Sequence, residues 1–122
     1  MRLFALRGAT SVASNDAAAI REATAELMRE ILARNSLTPE MAVSCLFTTT
    51  DDLDAEFPAA AARACGFENV PLICAREIAV PGSMPLVVRV LMHYHADESH
   101  APVHVYLREA RALRSDLAGA PQ

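Results

Sequence analysis

Three side chains of different chemistry are set among apolar residues between positions 70 and 95. They are the thiol of Cys74, the carboxylate of Glu77 and the guanidinium of Arg89. Arg89 lies within the run LVVRVLM, where a buried charge that lost its partner would cost on the order of 3–5 kcal/mol. Arg89 therefore either forms an ion pair with an acidic side chain of the protein or binds an anionic ligand.

All eleven basic residues of the chain are arginines. The lack of lysine excludes Schiff-base chemistry, a lysine-bound pyridoxal phosphate and a P-loop. Arginine is the side chain best suited to forked recognition of carboxylates. Binding of a small anionic, hydroxylated ligand is therefore favoured over covalent chemistry on it. The residues that indicate this are Arg7, Arg63, Glu77, Arg89 and Tyr106.

Other kinds of chemistry have weaker support in the sequence. His93 and His95 share one face of a predicted strand and could bind zinc with a third histidine, His100 or His104. The pattern contains no HExxH and no Cys/His pairing, so ordinary polar positions are the preferred interpretation and no metal is predicted. The acidic stretch at residues 51–54 matches no calcium loop and is interpreted as a turn. Cys74 has no nearby base and is not predicted to be a nucleophile.

Composition limits the class of protein further. The net charge of −4 and the few aromatic residues argue against nucleic-acid binding. The chain has no apolar run of about 18 residues, and Arg7 interrupts any signal-peptide core, so a cytoplasmic protein is expected. The odd number of cysteines, without CxxC spacing, predicts reduced thiols.

The elements that must position these side chains follow from hydrophobic periodicity. Apolar residues at helical spacing predict a long helix over 17–35, after N-cap candidates at 14–16. A second helix is predicted after Phe57-Pro58, ending at Gly66. Gly8 is expected to close the first strand, which places Arg7 at the rim of the sheet. The predicted strands span 2–8, 41–50, 70–74, 86–94 and 103–107.

The order β-α-β-α-β-β-β predicts an α+β fold in which two helices cover one face of a mixed sheet. We expect one domain over residues 1–117 and a flexible tail at 118–122. The strands are apolar on both sides, so the second face must also be covered. Oligomerisation is the economical way to cover it.

An ordered set of short motifs resembles a known family. The set comprises Arg7-Gly8-Ala9-Thr10, Asp52-Leu53, Phe57-Pro58-Ala59 with Arg63, Val70-Pro71, Cys74 with Glu77, Arg89-Val90 and His104-Val105-Tyr106-Leu107. In this order they resemble the monofunctional chorismate mutases of the trimeric α/β type, also called the Bacillus or AroH class. The resemblance extends from Arg2 to about Leu117.

The resemblance implies a homotrimer with a pseudo-barrel core and active sites between subunits. The implied reaction is the rearrangement of chorismate to prephenate, at the branch toward phenylalanine and tyrosine. This pericyclic step needs no nucleophile, no proton transfer and no cofactor.

The resemblance also implies residue roles. Arg89 would face the ether oxygen of the substrate, and Arg7 would pair with a substrate carboxylate. Glu77 would accept a hydrogen bond from the ring hydroxyl, and Tyr106 would donate to a carboxylate. On this interpretation Arg89 has no acidic partner in the protein, and the dianionic substrate supplies the negative charge that pairs with it. The pocket would be lined by Ile73, Cys74, Ala75 and Arg76, with Phe57, Ala59 and Leu113 as apolar walls and Arg63 at the mouth.

Two positions depart from the family pattern, and two other functions stay open. Ala60 stands where family members carry lysine, and Ile73 where they carry threonine. The first change removes a charge near the pocket entrance, and the second removes a side-chain hydrogen bond. A trimeric imine deaminase of the Rid type and a non-catalytic binder of a carboxylated metabolite are the alternatives.

Overall fold

The computed structural model describes residues 1–113 as one five-stranded sheet with helices against it. Residues 114–117 of the predicted domain, and the predicted tail, lie outside this described part. The strands are β1 (Arg2–Ser11), β2 (Ala42–Thr49), β3 (Leu72–Arg76), β4 (Val87–Ala96) and β5 (Val105–Leu107). The helices are α1 (Ala17–Asn35) and α2 (Pro58–Ala62), with 3-10 turns at Pro39–Met41 and Arg108–Leu113 and a π-helical turn at Arg63–Phe67.

The sheet is mixed, as the sequence predicted. Its strand order is β3-β2-β4-β1-β5. The β1/β4 and β2/β4 pairs are antiparallel, whereas β2/β3 and β1/β5 are parallel. The predicted element order is confirmed, and α1 and α2 pack against each other and into one core with the sheet. The α+β class and the placement of both helices on one face are therefore correct.

Helix α1 forms because its apolar residues recur every three or four positions. Asp16 is the N-cap, and its Oδ2 accepts a hydrogen bond from the Ala19 N–H at 3.0 Å. The predicted pair Glu30–Arg34 is present, with 2.9 Å between Oε1 and Nε. The buried face of the helix consists of Ile20, Ala23, Thr24, Leu27, Met28, Ile31 and Asn35.

Gly8 does not close the first strand, contrary to the sequence prediction. Strand β1 continues to Ser11, so Arg7 lies in its middle and not at the rim. Gly8 is needed because α1 packs directly on the sheet there. A β-carbon at Gly8 would lie 2.8 Å from Cδ1 of Ile31 and 3.2 Å from Cδ1 of Leu27. The glycine therefore marks a close approach of helix and sheet, not a turn.

The second helix is shorter than predicted. Regular α-helix ends at Ala62, and a π-helical turn follows with Gly66 at φ 100°. Glycine adopts this left-handed conformation without the steric penalty of a β-carbon. Gly66 leaves the helical conformation, as expected of a terminating glycine, but the turn continues to Phe67.

The face of the sheet opposite the helices, which we call the outer face, is open in the protomer. Large apolar side chains are exposed on it, namely Leu3, Leu46, Ile73 and Leu91. Contiguous exposed apolar surface of this kind is typical of a face that another protein chain covers. Among the described residues, no helix is long and apolar enough to cross a bilayer. The cytoplasmic location stays a prediction, as do the domain limits.

Candidate active site

One row of residues crosses the whole outer face of the sheet. Thr48 on β2 is in register with Arg89 on β4, and Arg89 is in register with Ala9 on β1. Ala75 on β3 extends the row beside Thr48, and Tyr106 on β5 extends it beside Ala9. Side chains directly opposite each other in a sheet have β-carbons about 4.5–5.5 Å apart. The row therefore brings residues distant in sequence onto one continuous surface.

Glu77 follows β3 directly and meets Arg89 on this surface. Its backbone N–H donates to the carbonyl of Thr49 at 2.9 Å. Its Oε2 accepts a hydrogen bond from Thr48 Oγ1 at 2.7 Å and lies 2.9 Å from Arg89 Nε. The expectation that Arg89 lacks a protein partner is wrong, because the half-buried ion pair with Glu77 supplies one.

The ion pair nevertheless leaves hydrogen-bonding capacity on Arg89. The Nε–H is buried, and among the described residues no acceptor is aligned with it, although Glu77 Oε2 is close. The guanidinium is thus held in place mainly by charge. The side chain is 31% exposed and borders a pocket, so its terminal N–H groups can be directed at a ligand oxygen.

Arg7 lies on the same face, one row away from Arg89. It is in register with Leu91, which in turn is in register with Leu46 on β2. Arg7, Thr48, Leu46 and Arg89 line a shared concavity of about 300 Å³. The two guanidinium groups therefore border one pocket. Such a pair fits an anion, and two bordering cations suit a ligand with more than one carboxylate.

Tyr106 lies at the β5 end of the row and is 4% exposed. Its ring packs with Ala9 and Ala110, and Leu113 packs partly against the same cluster. The sequence prediction placed Tyr106 and Leu113 in one pocket, and the structure brings these two together. His104, the residue before β5, accepts a hydrogen bond at its Nδ1 from the Arg7 N–H at 3.0 Å.

The remaining predicted pocket residues form a second group around a different cavity, of about 410 Å³. Its lining includes Phe57, Cys74, Ala75 and Arg76. Cys74 is in register with Phe47, so both side chains face the helices and not the outer face. Phe57 is 68% exposed, whereas Ala59 is buried in the main core. Within one protomer the predicted site residues therefore do not converge on a single cavity.

Two further residues of the predicted site, Ile73 and Arg63, line neither of these two cavities. Ile73 projects from the outer face with its side chain 60% exposed and is in register with Leu46. Arg63 is exposed at the start of the π-helical turn. It is close enough to Glu56 for its charge to act on that carboxylate.

The loop that carries Phe57 is fixed by polar contacts with the helix side. Asn15 Oδ1 accepts hydrogen bonds from the N–H groups of Asp54 and Ala55, both at 3.0 Å. Arg21 Nη1 donates to Glu56 Oε2 at 2.7 Å. The Phe57 N–H and then Arg21 hold the pKa of Glu56 below its usual range. Asn15 was expected only as an N-cap candidate, and its actual role is to hold this loop.

The histidines do not assemble into a metal site. Nδ1 of His93 lies 3.3 Å from Ser44 Oγ on the outer face, whereas His100 contacts the buried hydroxyl of Tyr94 at 2.6 Å. In residues 1–113 there is no group of three or more His, Cys, Asp or Glu side chains that could hold a metal ion. The structure therefore offers the zinc alternative no support.

The cysteines that the structure describes have free thiols. Cys45 is buried in the main core, and desolvation raises the pKa of its thiol to about 12. A thiol with such a pKa holds almost no thiolate at neutral pH and is inert as a nucleophile. Cys45 is thus a small core residue, as the sequence indicated.

Sequence reasoning missed two residues of this region. Thr48 was interpreted only as part of a β-rich strand, and Asp52 only as part of an acidic turn. Thr48 orients Glu77, and both oxygens of Asp52 accept hydrogen bonds from the Leu86 N–H at 3.2 and 3.0 Å. Their roles depend on which strands are neighbours in the sheet, and the sequence offers no local signal for that.

Known proteins resemble the chain along nearly its whole length. Residues 3–117 match the family Chorismate mutase type I. Chorismate mutase AroH of Thermus thermophilus is 46% identical over 117 residues, which cover 94% of this chain and 96% of the relative. Chorismate mutase AroH of Bacillus subtilis (strain 168) is 36% identical over 120 residues, covering 97% and 94%. Among solved structures, chorismate mutase from Clostridium thermocellum superposes with a TM-score of 0.86 at 43% identity, covering 89% and 98%.

Proposed function

The chain belongs to the type I chorismate mutase family and is a chorismate mutase, and we propose that its outer-face residues catalyse the conversion of chorismate to prephenate in a site shared between subunits. The observation that carries the proposal is the row across the sheet that places Arg89 beside Glu77, with Arg7 bordering the same pocket. The family membership confirms the resemblance found in the sequence. The residue roles and the trimer are proposals.

The rearrangement of chorismate sets two demands on a protein. The side chain and the ring of the substrate must be held in the compact conformer in which the two reacting carbons meet, which is a matter of positioning. Negative charge that develops on the ether oxygen as its carbon–oxygen bond breaks must be stabilised. Neither demand involves a nucleophile or a titrating base, and no resident cofactor is needed. The reaction belongs to the biosynthesis of phenylalanine and tyrosine.

Arg89 is assigned to the ether oxygen of the bond that breaks, and Glu77 to the hydroxyl group of the substrate ring. The Arg89 side chain is 31% exposed and borders the concavity, so its terminal N–H groups can be directed at the ether oxygen. Glu77 fixes the guanidinium by charge at 2.9 Å and can accept the ring hydroxyl of the substrate. A preorganised donor of this kind contributes about 3–4 kcal/mol in comparable sites.

Arg7 and Tyr106 are assigned to the two carboxylates of the substrate. Arg7 borders the same concavity as Arg89 and provides the forked geometry that a carboxylate accepts. Tyr106 lies in the next row on β5, near Arg7 in space, with Leu113 against its cluster. The ligand is thereby held from its charged ends while its reacting centre lies near Arg89.

The two separate groups of site residues support sites between subunits. Arg7, Glu77, Arg89 and Tyr106 lie on the outer face, whereas the group with Phe57 and Cys74 lines a different cavity. The outer face exposes apolar side chains that a second copy would cover. In a homotrimer each outer-face group would be completed by the Phe57 group of a neighbouring subunit, with Arg63 at the mouth.

The activity test is direct. The purified chain is mixed with chorismate, and loss of chorismate absorbance is followed together with the formation of prephenate. Rapid conversion without added metal or cofactor is expected. An absence of turnover by folded protein would overturn the assignment, and formation of any product other than prephenate would do so as well.

The subunit arrangement is tested by mixing two impaired variants. Arg89→Ala disables the outer-face group, and Arg63→Glu disables the mouth by repelling the dianionic substrate. After unfolding and refolding together in equal amounts, mixed trimers would regain about a quarter of the wild-type sites if each site spans two subunits. Arg89→Ala mixed with Glu77→Ala is the matched control, because both changes fall in one group. Recovery in the control, or none in the test mixture, would contradict the arrangement.

A further inference from the structure

Leu86 has a left-handed backbone immediately before strand β4. Its φ is 56°, a conformation that residues with a β-carbon rarely adopt and that glycine adopts without penalty. Leu86 begins the segment that carries Arg89 into the sheet. A backbone that relaxed to an ordinary conformation here would redirect the first residues of β4. Something must therefore hold Leu86 in this conformation.

Asp52 supplies the contacts that hold Leu86. Oδ1 and Oδ2 of its carboxylate accept hydrogen bonds from the Leu86 N–H at 3.2 and 3.0 Å. Thr50 Oγ1 donates to Asp52 Oδ1 at 2.5 Å and accepts a hydrogen bond from the Val87 N–H at 3.0 Å. On its other side, the Leu86 carbonyl accepts from the Val12 N–H at 2.8 Å. Consecutive N–H groups at the start of β4 are thus bound by one acidic network.

The same stretch of chain also fixes the partner of Arg89. Thr48 donates to Glu77, and the Thr49 carbonyl accepts from the Glu77 N–H at 2.9 Å. Asp52 lies in the turn that directly follows β2. The segment from 48 to 52 therefore determines the position of Glu77 at one end and the entry of Arg89 at the other.

We propose that Asp52 is a positioning residue for the rearrangement, which keeps Leu86 in its left-handed conformation and thereby sets Arg89 against Glu77. The proposal rests on the proposed function of that ion pair. Asp52 acts through the backbone of β4 and is not assigned any contact with the substrate. Its effect is expected on the step that needs Arg89, with little effect on substrate capture.

The decisive variant is Asp52→Asn, which replaces one of the two acceptor oxygens with a donor while preserving shape. We expect kcat to fall about tenfold with KM nearly unchanged, because a small misplacement of a catalytic group costs rate before it costs binding. Asp51→Asn is the matched control, since Asp51 is the exposed neighbour of Asp52. It is expected to leave both constants near wild type.

A second-site change separates positioning from general damage. Leu86→Gly removes the penalty of the left-handed backbone, so Asp52→Asn combined with Leu86→Gly should recover most of kcat. Leu86 also packs partly against the core, and Leu86→Ala loses the same packing but retains a β-carbon. Asp52→Asn combined with Leu86→Ala should therefore not recover. Equal results for glycine and alanine would overturn the proposal.

Thr50 offers a milder route should Asp52→Asn fail to fold. Thr50→Val loses the hydroxyl that joins Asp52 to Val87, whereas Thr50→Ser keeps it. A fall in kcat for valine but not for serine, reversed by Leu86→Gly, is expected. Unchanged kcat in Thr50→Val would contradict the proposal.

Amide hydrogen exchange distinguishes failure of this proposal from failure of the proposed function. The Leu86 and Val87 amides of the substrate-free protein should exchange faster in Asp52→Asn, at equal global stability. Faster exchange with unchanged kcat would leave the network real but refute its role in catalysis. Unchanged exchange would refute the network itself, whatever the activity of the enzyme.

Discussion

The Glu77 carboxylate reaches across strand β2 to meet the Arg89 guanidinium on β4, with 2.9 Å between Oε2 and Nε. On the way it accepts a hydrogen bond from Thr48, the β2 residue that is in register with Arg89. The ion pair therefore joins β4 to the residue after β3, with a side chain of β2 hydrogen-bonded between them. The pair fixes the guanidinium while the side chain stays partly exposed at the pocket, as the proposed stabilisation of a developing oxyanion requires.

Replacing Arg89 with lysine keeps the charge but removes the planar fork. We expect Arg89→Lys to lower kcat about a thousandfold, because an ammonium group on a flexible stem cannot present the same donor to the ether oxygen. Steady-state kinetics with chorismate measure the effect. Arg34→Lys is the matched control, since Arg34 is exposed on α1 in an ion pair with Glu30. Activity retained by Arg89→Lys would mean that the ether oxygen is stabilised by another group.

The hydrogen bond from Thr48 to Glu77 predicts losses of kcat of different size for variants at the two positions. Glu77→Ala should lower kcat about a hundredfold or more, because it removes both the acceptor and the anchor of Arg89. Thr48→Val should lower kcat by about fivefold, and Thr48→Ser should retain it. The double variant Glu77→Ala with Thr48→Val should be no worse than Glu77→Ala alone, since Thr48 acts through Glu77. Additive losses would show that Thr48 has an independent role.

The close approach of α1 to β1 predicts a stability effect at Gly8. Gly8→Ala should destabilise the fold by about 1–3 kcal/mol, because the new methyl group would lie 2.8 Å from Cδ1 of Ile31. Ile31→Val removes that carbon, so it should cost less in the Gly8→Ala background than in the wild type. Denaturant unfolding of the four proteins measures this coupling. Independent, additive changes would show that the helix shifts to accommodate the methyl group.

Burial of Cys45 predicts a loss of stability in alkali. Its pKa is about 12 in the folded protein, against 9.0 for an ordinary cysteine. Below pH 9 both states hold the proton, and above it only the unfolded chain releases the proton, so stability falls as the pH rises toward 12. At pH 10 the loss from this group is about 1.4 kcal/mol.

Denaturant unfolding at pH 8 and pH 10 measures this loss. Cys45→Ala should show a smaller fall between the two values than the wild type, although its stability at pH 8 is lower. The buried Tyr94, whose pKa desolvation also raises, acts in the same direction and leaves a residual fall in both proteins. An identical fall in Cys45→Ala would show that the Cys45 thiol is solvated.

The sequence predicted the fold well because its signals are local. Periodic apolar residues located α1, and β-branched runs located the strands to within a few residues. Gly8 was misjudged, since a glycine that ends a strand and a glycine that admits a helix look alike in sequence. The distinction depends on Ile31, which lies on another element.

The candidate site was predicted less completely because it is a property of strand order. The family resemblance supplied Arg7, Glu77, Arg89 and Tyr106, and strand register places all four on or beside one surface. The partner of Arg89 was missed because Glu77 approaches it across an intervening strand. Thr48 and Asp52 were missed for the same reason, since neither has a motif of its own.

The shortness of β5 has a consequence for how activity is lost. Tyr106 is held by a strand of only three residues, Val105–Leu107, which pairs with β1 at the edge of the sheet. An edge segment of this length opens at lower free energy than the central strands. In mild denaturant, inactivation should therefore precede the loss of secondary structure. The concentration at which the enzyme stops working then reports the fraying of one edge strand, not the unfolding of the sheet.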